Sequence, residues 1–334
     1  MGQAIKATFA ALRVLVFLAL EFLALVLLLD FAPATAQEFP NQPVKALNPM
    51  GAGGSSDVVM RALAEELQRR WGQPVVVENR PGGGTTIGAR ACAQAPKDGH
   101  TICIFPAETV TYIPHTMKNP GYDADKDFVP ITLAFFNPQV LVANASLNVR
   151  SLAELAALSK AKPGTLSFFS ASTALQVWME RWKKATGVDI VWVASKSGSE
   201  AVNGVIAGST PVAFYGAANF LQYIETGAVK PLAVDGERRA PQLPEVPSLA
   251  ELGFKDRLPR IWFGLFAPGG TPKPIIDRLY REIIAVATPE FRKRRLLDLT
   301  LEPVFNTPEE FAAFLKDDRA LSELVVTEAG LKVN

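Results

Sequence analysis

Histidine and cysteine are scarce: two of each occur in 334 residues. That leaves a His/Cys metal cage or a His-based catalytic triad with very little material. Charge of one sign is lacking too, since 34 Lys and Arg face 33 Asp and Glu for a formal net charge of +1. Such a chain exerts no long-range pull on a phosphate backbone, and no basic stripe supplies one locally, so nucleic acid is not an expected partner. The cluster Arg292-Lys293-Arg294-Arg295 has no interleaved aromatics and reads as a solvated helix face. No Ser sits in a G-x-S-x-G elbow, and no carboxylate pair is marked by its context. No glycine loop runs into Gly-Lys-Ser/Thr, and Gly51-x-Gly53-Gly54 lacks the dinucleotide spacing, so no phosphate cofactor is indicated and no metal or other cofactor is expected.

What is present is apolar bulk, 49% of the chain, and length for about two domains at roughly 150 residues each. Lys6 and Arg13 precede an apolar run from Val14 to Leu29, and Ala34-Thr35-Ala36 stands before Gln37. This is the order of a cleavable export signal over residues 1–36. The alternative is a permanent anchor, because the run approaches the roughly 17 residues that can just span a bilayer. Glu21 in its middle and the small-x-small site favour export. No later stretch is apolar enough to span. Export leads to a compartment where Cys92 and Cys103 can oxidise. Packed helix and sheet backbones usually lie further apart than the about 7 Å that a disulfide bridges, so the pair is expected to be two small buried hydrophobes, with a disulfide as the alternative.

From Pro43 onwards strand-like and helix-like segments alternate, as βαβαβ through Phe105 and again from Leu166 to Val234. The expected fold class is α/β: two lobes, each a mainly parallel sheet flanked by helices. Between the two units runs Phe128–Ala143, too long for one strand, and after them Ile261–Ala267. Read as strands that cross between lobes, they assign residues 37–136 and 259–334 to a discontinuous domain I and 137–258 to domain II. Two crossings side by side make a hinge, with ligand expected at the C-terminal ends of the parallel strands.

The first two strands each end in a glycine-rich turn that opens a helix, Asn48–Asp57 and Glu78–Gly88. Free N–H groups and the positive dipole end of such helices can hold an anion. Alternatively the glycines only make tight turns, and Ser55, Ser56, Thr85 and Thr86 are helix caps. Asp57 would repel an anion if it pointed inwards, so it is expected to cap its helix or fix the turn through loop amides. His100 reads as a surface or turn residue, and His115, on the loop after the third strand, lies nearer the cleft.

Taken in order, several segments resemble the substrate-binding proteins of tripartite tricarboxylate transporters, the Bug family of periplasmic receptors. They include Pro49-x-Gly51-x-Gly53-Gly54-x-x-Asp57, Val75-Val76-Val77-Glu78-Asn79-Arg80-Pro81-Gly82, Asp98-Gly99-x-Thr101, Tyr122-Asp123-x-x-Lys126-Asp127-Phe128-x-Pro130, Pro244-Glu245-Val246-Pro247-Ser248 and Ala267-Pro268-Gly269-Gly270-Thr271-Pro272. Together they span almost the whole chain after residue 36. The resemblance implies a two-lobed periplasmic-binding-protein fold of type II-like form, and a carboxylate held by loop amides, hydroxyls and waters rather than by an arginine clamp. By position, Gly53, Gly54, Ser55, Ser56, Thr85 and Thr86 would surround it in domain I, with Asp57 organising the first turn.

Domain II departs from the family. Where a Gly/Ser-rich turn and a His are usual, this chain has Phe169-Ser170-Ala171-Ser172-Thr173-Ala174, and where Tyr-Lys-Gly is usual it has Ser195-Lys196-Ser197. Ser170, Ser172 and Thr173 still offer hydroxyls at a helix start, and Lys196 offers a cation. Phe169, Trp178 and Trp192 read as core, while Tyr215, at a strand end, is expected to face the ligand. The resemblance implies a monomeric, non-enzymatic periplasmic receptor that delivers a mono-, di- or aromatic carboxylate to membrane permease subunits. An exported sensor for a signalling partner and an exported hydrolase are the alternatives.

Overall fold

β-Branched and aromatic runs become strands where turn residues bound them, and two separate sheets result. The first is built from β1 (Val44–Asn48), β2 (Val75–Asn79), β3 (Thr101–Pro106), β4 (Phe128–Phe136), β10 (Trp262–Pro268) and β11 (Glu302–Pro303), in the order β11-β4-β10-β3-β1-β2. The second contains β5 (Gln139–Asn144), β6 (Leu166–Ser170), β7 (Ile190–Ala194), β8 (Val212–Gly216) and β9 (Val229–Val234), in the order β7-β6-β8-β5-β9. The computed structural model describes residues 39–170, 172–194, 198–254 and 260–331, and of the leader only Gly2, Phe17 and Glu21. The export signal read over 1–36 thus lies outside the described residues, as does Lys196. Among the described residues no helix is long and apolar enough to cross a membrane. Residues Gln42–Asn334 make one contact unit and Met1–Asn41 another.

Both sheets are mixed, which corrects the mainly parallel expectation. β1 pairs parallel with β2 and β3, and β6 with β7 and β8, but β10 is antiparallel to β3 and β4, and β5 to β8 and β9. The reason lies in the crossings. β4 runs out of the first sheet and, after Asn137-Pro138, β5 enters the second from the end where its parallel strands finish. It must therefore run against them. β10 enters the first sheet in the same way. The crossing segments are tied together: Asn137 N donates to Ile261 O (2.7 Å), Gln139 N to Asp235 Oδ1 (2.8 Å) and Asp235 N to Gln139 O (3.0 Å). The long apolar run is thus two strands in two sheets, broken at Asn137-Pro138.

Among the described residues from 39 onwards the α-helices are α1 (Ser55–Trp71), α2 (Thr86–Ala93), α3 (Ile113–Thr116), α4 (Leu152–Ala161), α5 (Thr173–Thr186), α6 (Gly198–Ala207), α7 (Leu221–Glu225), α8 (Lys273–Val286), α9 (Pro289–Arg295) and α10 (Pro308–Glu328). In the second sheet neighbouring side chains serve opposite faces: Leu141, Phe168 and Phe214 pack with Trp178 and Trp182, whereas Val140, Phe169 and Ala213 pack with Val205 and Phe220. That period of two with both faces apolar is what helices on each side require. Trp192 departs from the core expectation. It lies on the edge strand β7, 39% exposed, where among the described residues no further strand pairs.

Cys92 in α2 and Cys103 in β3 form a disulfide with Cα atoms 6.4 Å apart, which corrects the expectation of two separate thiols. Gly88 and Ala89 on the buried side of α2 let its backbone come close enough to the sheet for bridging. His100 is a turn residue, but its side chain is mostly enclosed, 3.3 Å from Asp98. His115 sits partly exposed in α3.

Candidate functional site

The turn after β1 is held from within. Burial pushes the Asp57 carboxyl up, but the Arg61 guanidinium, the Gly53 amide and Asn79 outweigh it and hold it below the ordinary carboxylate range. Gly53 N donates to Asp57 Oδ2 (2.8 Å), Arg61 Nε lies 3.0 Å from Oδ1, and Arg61 Nη2 donates to Asn79 Oδ1 (2.9 Å). Asn79 Nδ2 in turn donates to Met50 O (3.2 Å). Asp57 is therefore neutralised by its own helix and organises the turn. Ser56 is buried and donates to Asn48 Oδ1 (3.1 Å). What the turn leaves outward is backbone and one hydroxyl: Gly53 and Gly54 are exposed and Ser55 is partly so.

The turn after β2 presses against the first. Gly82, Gly83 and Gly84 all have positive φ, as does Thr85 at +83°, a conformation that side chains rarely adopt. Thr85 is retained there by its buried hydroxyl, 2.8 Å from Thr109 Oγ1, and such strained residues cluster at functional sites. A Cβ on Gly88 would fall 2.7 Å from Pro49 Cα, so only glycine lets the two turns touch. Arg80 N donates to Asn48 O (2.8 Å) across the same seam. Thr86 Oγ1 donates to Gly83 O (2.9 Å) and accepts from Arg90 Nη2 (3.1 Å).

On the second sheet, Ser170 is buried at the end of β6, and its carbonyl accepts from Trp192 Nε1 (3.2 Å). Its hydroxyl accepts from Ser172 N (3.3 Å). Thr173, the first residue of α5, meets the first sheet's side directly: its hydroxyl donates to Glu108 Oε1 (2.7 Å) and its amide to Glu108 Oε2 (3.4 Å). Glu108 opens a π-helical turn (Glu108–Tyr112) just past β3, a distortion common at functional sites. Asn137, on the crossing, donates to Ser55 Oγ (3.5 Å) and lies beside Gly216, next to the half-buried Tyr215.

These contacts close a ring: first turn, crossing and the end of β8 on one side; second turn, Glu108 and the start of α5 on the other. Three helices begin on it, and none is capped by the side chain of its own N-cap residue, Gly54, Thr85 or Ser172; at α5 Glu108 takes the Thr173 amide instead. The Ser and Thr hydroxyls thus do not act as caps here. Three functional candidates escaped the sequence reading. Glu108 is the acidic residue that follows a fully apolar strand, Asn137 the polar joint of a long apolar run, and Asn48 a buried polar end to β1. Asn48 Nδ2 meets no acceptor among the described residues.

The model of the tripartite tricarboxylate transporter family receptor matches residues 59–331. Protein BugT of Bordetella pertussis is 32% identical over 305 residues, covering 90% of this chain and 94% of its own. The solved periplasmic binding protein BugD is 32% identical with a TM-score of 0.76, covering 88% and 99%. An R. palustris protein, Rpa4515 with adipate, is 27% identical with a TM-score of 0.80 over 88% and 99%. Two mixed sheets joined by paired crossings, glycine turns that face one ring, and similarity along nearly the full chain lead to one assignment: the chain belongs to the tripartite tricarboxylate transporter receptor family.

Proposed function

We propose that this chain is a periplasmic solute-binding receptor that captures a small organic carboxylate between its two sheets and hands it to the membrane permease of a tripartite transporter. The observation that carries the reading is the pair of helix starts, α1 and α2, that follow the two touching glycine turns without side-chain caps, because amides of this kind hold an anion through aligned dipoles without a cationic partner. Solved structures of similar proteins with adipate and with bound malate support an acid as ligand. Gly53, Gly54 and Ser55 contact the carboxylate directly, with the exposed backbone of Gly83 and Gly84. Ser56, Asp57, Thr85 and Thr86 keep that backbone in place. Ser172, Thr173 and Tyr215 meet the rest of the ligand. Closure is a rotation about the Asn137–Gln139 and Asp235–Ile261 crossings, and it creates the surface the permease recognises. The receptor acts as a monomer and makes and breaks no covalent bond.

Isothermal titration and thermal unfolding against mono-, di- and aromatic carboxylates test this. A bound acid at 100 times its Kd raises stability by about 2.7 kcal/mol. A folded protein that gives no heat and no shift across the panel overturns the reading. Small-angle scattering with the best acid should show compaction, and identical profiles at saturation overturn the hinge.

A further inference from the structure

The π-helical turn Glu108–Tyr112 makes contacts in two directions. Towards the second sheet, the two Glu108 carboxyl oxygens accept from Thr173, one from the hydroxyl (2.7 Å) and one from the amide (3.4 Å). Ala174, the next residue of α5, is buried in one apolar cluster with Val110 and Tyr112 of the same turn and Leu315 and Val326 of α10. Polar and apolar contacts together thus seat the start of α5 on the first sheet's side. Burial pushes the Glu108 carboxyl up, towards the neutral acid, the form that such a sealed seam holds at least cost. Towards the glycine turns, the Thr109 hydroxyl lies 2.8 Å from that of Thr85, which stands at φ +83°. The two attachments leave from adjacent residues. We propose that this turn is a coupling element that ties the second glycine turn to the seating of α5, with Thr109 as a positioning residue that acts through Thr85. Its meaning for function rests on the receptor reading above: an acid that orders the glycine turn is then felt at α5, and so at the second sheet.

Coupling needs an element with two arrangements that both sites bias. A π turn closes over one residue more than an α turn and occurs only in short pieces. Here it runs straight into α3, which has the α register. A slip of the turn to that register would re-aim residues 108 and 109 together, releasing Thr173 and Thr85 at once. The present arrangement is held from behind: Arg319 Nε donates to Val110 O (3.3 Å) and the Tyr122 hydroxyl to Thr109 O (2.5 Å). Thr85, in a conformation that side chains rarely adopt, persists only while its surroundings fix it. Loss of either attachment therefore weakens the other.

Amide hydrogen exchange of the ligand-free protein tests this in the wild type, Thr109→Val, Glu108→Ala and the double variant. Valine keeps the branched shape and removes the hydroxyl that Thr85 meets. Thr109→Val is expected to speed exchange about tenfold at Thr85 and Thr86 and also over residues 173–178, while residues 182–186 at the far end of α5 keep the wild-type rate. Glu108→Ala should speed the same two segments, and the double variant should exceed the faster single variant by no more than about twofold, because one opening releases both. Thr109→Ser restores the hydroxyl and Glu108→Gln a neutral acceptor, so each should return exchange to within about threefold of wild type. The inference is overturned if Thr109→Val speeds the glycine turn alone, if residues 182–186 speed up equally, or if the effects of the two substitutions multiply. Should Glu108→Ala fail to fold, Thr109→Val against Thr109→Ser decides the matter. No acid is added, so such a failure leaves the receptor reading in place, whereas a folded wild type that binds no acid overturns that reading and leaves the coupling standing.

Discussion

Helix starts fall into two kinds. Away from the ring, α4 begins with Ser151 on the Glu154 amide (3.1 Å), α9 with Thr288 on the Phe291 amide (3.2 Å), and α10 with a reciprocal capping box between Thr307 and Glu310. On the ring, α1, α2 and α5 have no such side chain. The start of α8 also lacks one, but there Pro272 is the N-cap residue and has no side-chain oxygen to give, and the short α3 and α7 lack one because each continues directly from a preceding helical turn. A missing cap forgoes about 1 kcal/mol, and only a few tenths where glycine holds the N-cap position, as Gly54 does. Three starts elsewhere, those of α4, α9 and α10, are thus closed by their own side chains, while α1 and α2 at the glycine turns have no cap and α5 has recruited Glu108.

The largest effect is expected where the two glycine turns meet. Gly88→Ala puts a methyl 2.7 Å from Pro49 Cα and 3.1 Å from Arg80 O, and backbone on both sides must move. Overpacking of this kind costs about 3 kcal/mol of stability. Pushing the turns apart should also weaken acid binding roughly a hundredfold, about 2.7 kcal/mol. Chemical unfolding and titration read the two separately. Unchanged binding would mean that the turns need not touch to form the site.

Under-satisfaction extends to the crossing. Burial drives the Asp235 carboxyl up to about 7, against the Gln139 amide and the positive field of Arg260. The unfolded chain loses that proton near pH 4 and the folded chain keeps it until about pH 7, so stability falls as pH rises through that window. Asp235→Asn keeps an acceptor for Gln139 and should be roughly 2–3 kcal/mol more stable at pH 8, with a flatter profile between pH 4 and 8. Unfolding free energies measured across that range check it. A less stable variant would place the carboxylate among the groups the fold needs.

Much of this was legible in the sequence. The alternation of apolar strands and periodic helices gave the α/β class, and the excess length of Phe128–Ala143 marked the run that passes between the sheets, though not its break at Asn137-Pro138. The direction of β5 and β10 was not legible, because a strand's sense is fixed by which end the crossing enters, and no residue encodes that locally. The disulfide was missed for a similar reason: how close α2 lies to β3 depends on what Gly88 packs against, not on cysteine spacing. In the site, the glycine turns stood out, since positive φ selects its own residue. Glu108 did not, because an acidic residue after a strand looks like any loop residue until α5 is brought to it from about 65 positions away.

The comparison can be turned around by giving a cleft helix the cap it lacks. Gly54 has φ −75° and ψ 169°, an extended conformation that any residue adopts, and a Cβ there would lie 3.7 Å from the nearest heavy atom, Gly51 O. Gly54→Asp should therefore fold, with stability raised by a few tenths of a kcal/mol, about what Asp gains over Gly at a cap. The added carboxylate would occupy the amides of α1 and weaken acid binding by about tenfold, roughly 1.4 kcal/mol. A more stable variant that binds as well as wild type would break the assignment of these amides to the ligand.

The smallest effect is expected at the opposite kind of start. Thr307 accepts from the Glu310 amide (3.2 Å), and Glu310 accepts in return from the Thr307 amide (2.9 Å), so the first turn of α10 is closed by its own side chains. That helix buries Phe311 and Leu315 against Trp262 and Phe266 in the first sheet's core. Loosening its first turn therefore costs local order before it costs packing. Thr307→Ala should lower stability by about 1 kcal/mol, and acid affinity should stay within about twofold because neither residue borders the ring. Unfolding and titration of the same sample measure both quantities. If capping serves folding at α10 and its absence serves binding at α1, then Thr307→Ala moves stability alone, and Gly54→Asp moves affinity far more than stability. A Thr307→Ala variant with weakened binding would show that α10 is coupled to the cleft, and the division between the two kinds of helix start would fail.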